Sequence, residues 1–417
     1  MGFSTALSGL NAASTDLQVI GNNIANANTV GFKSSKTLFS DIYAAASGLA
    51  SGGDQPGLGV QVAAISPNFA QGTLQSSSDP LSLAINGGGL FRVSTGGGIA
   101  YTRNGQFHLD NNGYLVNANG DQLTGYQANG GKITGALGSL QIPTGQIAPA
   151  ATTTVGANLN LQASATPVNT TTYPFSPSDP NSYNYSTSMT VYDSLGTSHL
   201  MRLYFTKVSG SGGAGNPDQW NVHWQMDNGG TGASPSSGTL LSGLTFNSSG
   251  QPTGTTTGST GNISWGDGAT ASSISVNFGS STLFDQPFAV NNLNIDGNAA
   301  GSLSGISINT DGTLQGNYSN GKSQNLGQVA LANFRNQQGL QPLGNNLFGS
   351  SIASGPALLG TPGSGSLGSI KSSATESSNV NLTQSLVNLI SAQQTYQANA
   401  KTIKTQDRIL QTILSLS

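Results

Sequence analysis

The chain contains no cysteine, which removes disulfide frameworks and thiolate metal sites at once. Charge is nearly as scarce: Asp, Glu, Lys and Arg make up 7% of the residues and the formal net charge is −3, where soluble domains carry about a quarter charged residues. Glu376 is the sole glutamate. Thirteen scattered Lys and Arg form no patch, which excludes nucleic-acid binding. No apolar run reaches the roughly eighteen residues that would suggest membrane insertion. The amino end has no basic stretch leading into an apolar core, so no cleaved secretory signal is expected. Met1-Gly2 opens like a myristoylation site, but Ala6 stands where Ser or Thr is needed.

Catalytic constellations are thin as well. His108, His199 and His223 lie in or beside strand-like segments, and none has a carboxylate or second histidine at ligand spacing. Two GxGxxG strings, Gly210-Gly212-Gly215 and Gly363-Gly365-Gly368, sit in low-complexity loops without a βαβ frame. In a chain with 58 glycines they read as chance matches. The expectation is a protein that is not an enzyme, with no catalytic residues, cofactor or metal.

What is present is material for β-layers and two helical stripes. Fourteen Phe, eleven Tyr and many short Val, Ile and Leu alternations argue against general disorder. Abundant Ser, Thr, Asn and Gly with little charge suits a surface that packs against copies of itself. Near the start, Phe3, Leu7, Leu10, Leu17 and Ile24 fall on one alternating four-three register, interrupted by Ser14 and Gly21. Near the end, Leu382, Leu386, Leu389, Tyr396, Ile403, Leu410 and Leu414 hold the same register. Helices so far apart in sequence meet only if the intervening chain leaves and returns to one place. Alone, such a pair is expected to be marginal, disordered in solution and helical in an assembly.

The predicted fold is multidomain and mainly β with α-helical termini. Its discontinuous nested domains comprise terminal amphipathic helices pairing as a coiled coil and two all-β domains. Residues 1–30 and 375–417 form the terminal helical domain, and 31–72 an extended connector with flexible points at Gly52-Gly53 and Gly57-Leu58-Gly59. Residues 73–150 and 286–374 form an inner β-domain, in which 355–374 reads as a Gly, Ser and Pro-rich linker. Residues 151–285, which hold Trp220, Trp224 and Trp265, form an outer β-domain. Hairpins are expected across Asp110-Asn111-Asn112-Gly113 and Asn309-Thr310-Asp311-Gly312, a strand over Val329–Phe334, and a helix cap at Asn379 or Asn381.

The segment Ile20-Gly21-Asn22-Asn23-Ile24 followed by Ala25-Asn26-Ala27-Asn28-Thr29-Val30-Gly31-Phe32-Lys33 closely resembles the amino-terminal signature of the bacterial flagellar rod and hook axial family. Gly57-Leu58-Gly59-Val60-Gln61-Val62, Gln71-Gly72-Thr73-Leu74, Leu83-Ala84-Ile85-Asn86-Gly87 and Tyr101-Thr102-Arg103-Asn104-Gly105-Gln106-Phe107 look like its shared core. Glu376-Ser377-Ser378-Asn379-Val380-Asn381-Leu382 and Tyr396-Gln397-Ala398-Asn399-Ala400-Lys401 match its carboxy-terminal part. In the signature, whose motif and connector residues also include Thr29 and Lys33, the asparagines Asn22, Asn23, Asn26 and Asn28 end the helix, Gly31 permits a reversal, and Phe32 anchors the connector.

Length favours the hook branch, because rod proteins lack a large extra domain such as 151–285. The resemblance implies a structural subunit that self-assembles into a curved tube, a universal joint passing torque from rod to filament around an export channel. The terminal stripes would be its inter-subunit interface. It further implies an extracellular place in the flagellum, export unfolded through the flagellar type III apparatus, and contacts with distal rod, hook cap and hook–filament junction proteins. No nucleic acid or membrane insertion is implied. The alternatives are a distal rod protein with an enlarged outer domain, and a secreted β-rich adhesin or phage tail component.

Overall fold

The computed structural model describes residues 2–42, 57–143, 145–208, 219–227 and 236–416, and of residues 2 and 413–416 the backbone alone. Gly52-Gly53 and the Gly210–Gly215 string fall outside the described residues. A helix opens the chain, α1 (Gly2–Ala25), and another closes it, α2 (Leu382–Leu416). Among the described residues, everything between them is strand, turn or short 3-10 helix. The chain divides into two compact units. The first comprises residues 1–144, 305–317 and 323–417, and the second, residues 145–304 and 318–322, is inserted into it.

In the first unit, an antiparallel sheet runs through Leu90–Thr95, Gly98–Thr102 and Gln122–Asn129 and extends to Ser323–Val329 and Leu347–Gly349. Leu90, Phe334, Leu340 and Phe348 pack together in its core, with Tyr101 set edge-to-face on Phe334. Both expected hairpin turns form: Gly113 and Gly312 donate to the carbonyls of Asp110 and Asn309. The single strand expected over Val329–Phe334 is instead broken at Ala330. Up to Val329 the chain pairs with Gln122–Asn129, and from Leu331 with Leu90–Thr95.

Two stretches carry more strand pairing than their composition suggests. The connector contains an antiparallel hairpin, Ser35–Ile42 with Gly59–Pro67. Such a two-stranded ribbon is marginal by itself, and it packs against α1. The Gly, Ser and Pro-rich 355–374 stretch is not a free linker. Ser369–Ser372 pairs with Leu83–Asn86, and Ala374–Glu376 with Leu74–Ser76. Ile370 and Ala374 supply the reason, since both are buried and anchor an otherwise polar segment.

The second unit holds two five-stranded sheets. One is an antiparallel meander that includes Tyr185–Tyr192, Ser198–Lys207, Gln219–Met226 and Ser236–Phe246. In Gln219–Met226 every second residue is buried, the period of a strand with one face on a core. The other sheet centres on Thr154–Gln162, paired in parallel with Ser275–Asn277 and Thr282–Phe284. Its antiparallel neighbour is Ala289–Ile295, so this unit reaches past residue 285 by a full strand. One core joins both sheets, with Trp220, Trp265, Phe205 and Phe278 fully enclosed.

Candidate functional site at the junction of the chain ends

The end of α1 and the beginning of α2 are held together by polar side chains. Asn23, buried, donates to the Ser35 carbonyl at 2.7 Å and accepts from its amide at 2.9 Å, fixing the hairpin to the last turn of α1. Asn26 donates to Asn22, and Thr29 to Asn26, so the asparagines close the helix on itself as it unwinds. Asn28 is exposed and Phe32 half-buried. Gly31 then takes a φ of 71°, and its amide donates to the Glu376 carbonyl at 2.7 Å. A Cβ there would collide with the backbone of Asn104, so glycine alone fits. Asn379 accepts from the Ser34 amide and donates to the carbonyls of Asn68 and Ala70. The cap of α2 is Asn381, whose carboxamide oxygen accepts from the Gln384 amide at 3.1 Å.

At the centre of this junction lies the sole glutamate. Both Glu376 oxygens are engaged: Oε1 accepts from Lys33 Nζ at 2.6 Å and from the Gly72 amide at 2.8 Å, and Oε2 from Arg103 at 2.9 Å. Lys33 also donates to the Ala70 carbonyl and Arg103 to the Gly87 carbonyl. The Lys33 and Glu376 side chains are completely buried, and that of Arg103 is 4% exposed. Burial pushes the Lys33 ammonium and the Arg103 guanidinium down from their ordinary values, against the opposing pull of Glu376. Sequence reading placed Lys33 in the connector and missed its partners. The available signal was that Lys33, Arg103 and Glu376 each occur within a motif segment of a chain almost without charge.

The two helices run antiparallel. The loop after α1 meets the segment before α2, while a Cβ on Gly9 would lie 2.9 Å from the Asn399 side chain. Their contact uses small residues: Ala6, Ala12 and Ala13 on α1 are buried with Val19 and Ile20, and Ala392 is buried on α2. A cleft of about 1290 Å³ lies between the helices and the hairpin, lined by Asp16, Thr37, Asn388 and Asn399 among others. The large stripe residues face elsewhere. Phe3, Leu7, Leu382, Leu386, Tyr396 and Leu410 are exposed, and Leu10, Leu17, Ile24, Leu389 and Ile403 are half-buried. The Leu414 side chain lies outside the described residues.

Away from the junction, the second unit contains a charged cluster that local spacing did not reveal. A tight turn brings Asp193 to His199, whose Nε2 lies 2.9 Å from Asp193 Oδ2 and whose Nδ1 faces the Asp227 carbonyl. Asp267 Oδ2 lies 4.0 Å from the same ring. Burial pushes the Asp193 carboxyl up, but hydrogen bonds to His199, Asp267 and the Thr197 and Leu195 amides outweigh it and hold it at about 2. These three side chains could together offer ligand atoms to a cation. Here, however, Nε2 faces Asp193 directly, and the His199 ring leans on Trp265 at 4.5 Å, so the cluster acts as a pin for the turn.

Comparison with known proteins decides what kind of junction this is. Four family models match in chain order: flagella basal body rod protein over residues 3–33, flagellar hook protein FlgE/F/G D1 domain over 84–163, flagellar basal body protein FlaE D2 domain over 158–298, and flagellar basal body rod FlgEFG protein C-terminal over 371–416. The flagellar hook protein FlgE of Salmonella typhimurium is 44% identical over 426 residues, covering 100% of both chains. The chain belongs to the flagellar hook protein family. Hook proteins of Escherichia coli, at 43% over all of this chain, and Treponema pallidum, at 32% over 99% of it, are further relatives. The crystal structure of Helicobacter pylori flagellar hook protein FlgE2 shares the fold with a TM-score of 0.55 at 14% identity, over 71% of this chain and 99% of that one. Among the described residues, no helix of this hook-family chain is long and apolar enough to cross a membrane.

Proposed function

We infer that the chain is a structural subunit of the bacterial flagellar hook, polymerising with copies of itself through its terminal helices into a curved tube. The tube acts as a universal joint that passes torque from rod to filament, and it encloses the channel through which further subunits travel. The observation that carries this reading is the state of α2. The helix is in place, yet Leu382, Leu386, Val387 and Ile390 all remain exposed, and an apolar face of this extent calls for a partner. Few charges on the remaining surface suit contacts between copies that slide and stay hydrated. The other partners consistent with this role are distal rod, hook cap and hook–filament junction proteins and the flagellar type III export apparatus. The place of action is then outside the cell.

Electron microscopy of polymer grown from the purified chain tests the reading. Short curved tubes are expected; straight tubes would support a rod protein, and absence of any polymer would reject self-assembly. Leu386→Asp should abolish polymer while leaving the thermal transition of the monomer within about 0.5 kcal/mol, the usual effect of a surface substitution.

A further inference from the structure

A completely buried carboxylate with two cations is a poor device for stability. Desolvation offsets most of the attraction, and an apolar trio of similar volume often stabilises as well or better. What such a network does well is fix geometry. An apolar contact tolerates small slides of one strand past another, whereas a guanidinium and an ammonium bonded to opposite oxygens of one carboxylate hold a single arrangement.

Four chain segments converge on Glu376. They are the turn after α1 through Lys33 and the Gly31 amide, the segment after the hairpin through Gly72 and Ala70, the inner β-unit through Arg103 and Gly87, and the returning strand that carries Glu376 itself. The outgoing and returning strands are thereby locked together at the place from which both helices depart. The register of Ala374–Glu376 on Leu74–Ser76 ends at the pair Glu376 and Leu74, and beyond it the Ser377 amide donates to the Thr73 carbonyl at 2.9 Å as the last backbone bond between these two strands.

We propose that Lys33, Glu376 and Arg103 form a positioning lock that sets the direction in which α1 and α2 leave the inner β-unit. Glu376 is the shared keystone, and all three are positioning residues that act through the helices. The proposal concerns the single chain. It deepens the hook-subunit reading, because copies add regularly only if every helix pair departs alike, but its test requires no polymer.

The absence of cysteine makes that test clean. Spin labels on Lys132→Cys in the β-unit and Gln394→Cys on α2, both exposed positions, report the distribution of distances between the two parts. The full-length chain should give a narrow distribution. Glu376→Gln leaves Lys33 and Arg103 buried without their anion, and should lower the thermal midpoint by roughly 10 °C and widen the distribution. The combined Lys33→Met, Arg103→Met and Glu376→Met variant should recover the midpoint and still show a distribution at least twice as wide. A recovered midpoint with a narrow distribution would overturn the proposal, since packing alone would then set the direction. So would a broad distribution in the unmodified chain. Should the triple variant fail to fold, Glu376→Asp decides: it keeps the charge but shortens the reach, and should shift the mean distance and speed amide exchange at Gly72 at least tenfold. An unchanged distance there would equally sink the idea. Tubes that fail to form with the lock intact would count against the polymer reading alone.

Discussion

In the inserted unit, Trp220, Trp265, Phe205, Phe246 and Phe278 are sealed between two sheets, whereas along α2 Ala392 is the one buried apolar side chain among the described residues. The two regions draw on similar residue types and spend them oppositely. Thr154–Gln162 finds strands on both sides and a core beneath, so its apolar groups are satisfied within one chain. On α2 the intrachain contact falls on small and polar residues such as Asn399 and Ala392, while Leu382, Leu386 and Leu410 stay exposed. A region that completes its own core satisfies its apolar groups within one chain; one that leaves its largest side chains outside keeps that apolar face unpartnered in the single chain.

That contrast can be broken by experiment. The largest effect on the isolated chain is expected from Trp220→Ala, which removes a fully buried ring and should destabilise the inserted unit by about 3–5 kcal/mol. Polymer should still form below the lowered melting temperature. Calorimetry followed by microscopy checks both halves, and loss of polymer from still-folded protein would mean that the inserted unit supplies essential contacts.

An acid titration sharpens the comparison further. Asp193 and Asp296 both lie in the inserted unit, and both are held at about 2 against an ordinary 3.8. For Asp296, burial pushes the value up, but the hydroxyls and amides of Thr153 and Thr154 pull it down further. A carboxyl held low in the folded chain takes up its proton later than in the unfolded chain. The stability it contributes is therefore whole above about pH 4 and is lost as pH falls towards 2. The inserted unit's thermal midpoint should drop across that window, and Asp193→Asn or Asp296→Asn should flatten the drop. A midpoint independent of pH from 4 to 2 would refute the assignment.

The smallest effect is expected at the cap of α2. Asn381→Ala removes the acceptor for the Gln384 amide and should weaken the first turn by about 1 kcal/mol. Hydrogen exchange at Gln384 should accelerate accordingly, with the strands of the inserted unit unaffected. No change at Gln384 would show that contacts other than the cap hold that turn.

Local patterns were legible in the sequence. The stripes, the asparagine-rich helix exit, the two hairpin turns and the Trp-rich β-unit rest on periodicity or turn chemistry within a few residues. Contacts that depend on the returning chain were not. The 355–374 stretch has the composition of a linker and becomes strand because partners wait at Leu74–Ser76 and Leu83–Asn86. Asp193 and His199 meet only because a reversal lies between them. On α1 the stripe identified the large apolar residues, while the face that packs within the chain is the alanine row beside it. Periodicity finds both faces and does not say which partner each will meet.

Lys33 and Glu376 stand 343 residues apart in sequence, and this separation imposes an order in time. A chain delivered from its amino end can complete the self-contained β-unit as soon as that unit emerges, but it cannot close the ring between these two residues until nearly all of it has arrived. Loop closure over such a span is slow compared with local folding. Closing the Lys33–Glu376 ring is therefore among the last steps of folding, and the junction from which both helices depart takes shape only once residue 376 has arrived.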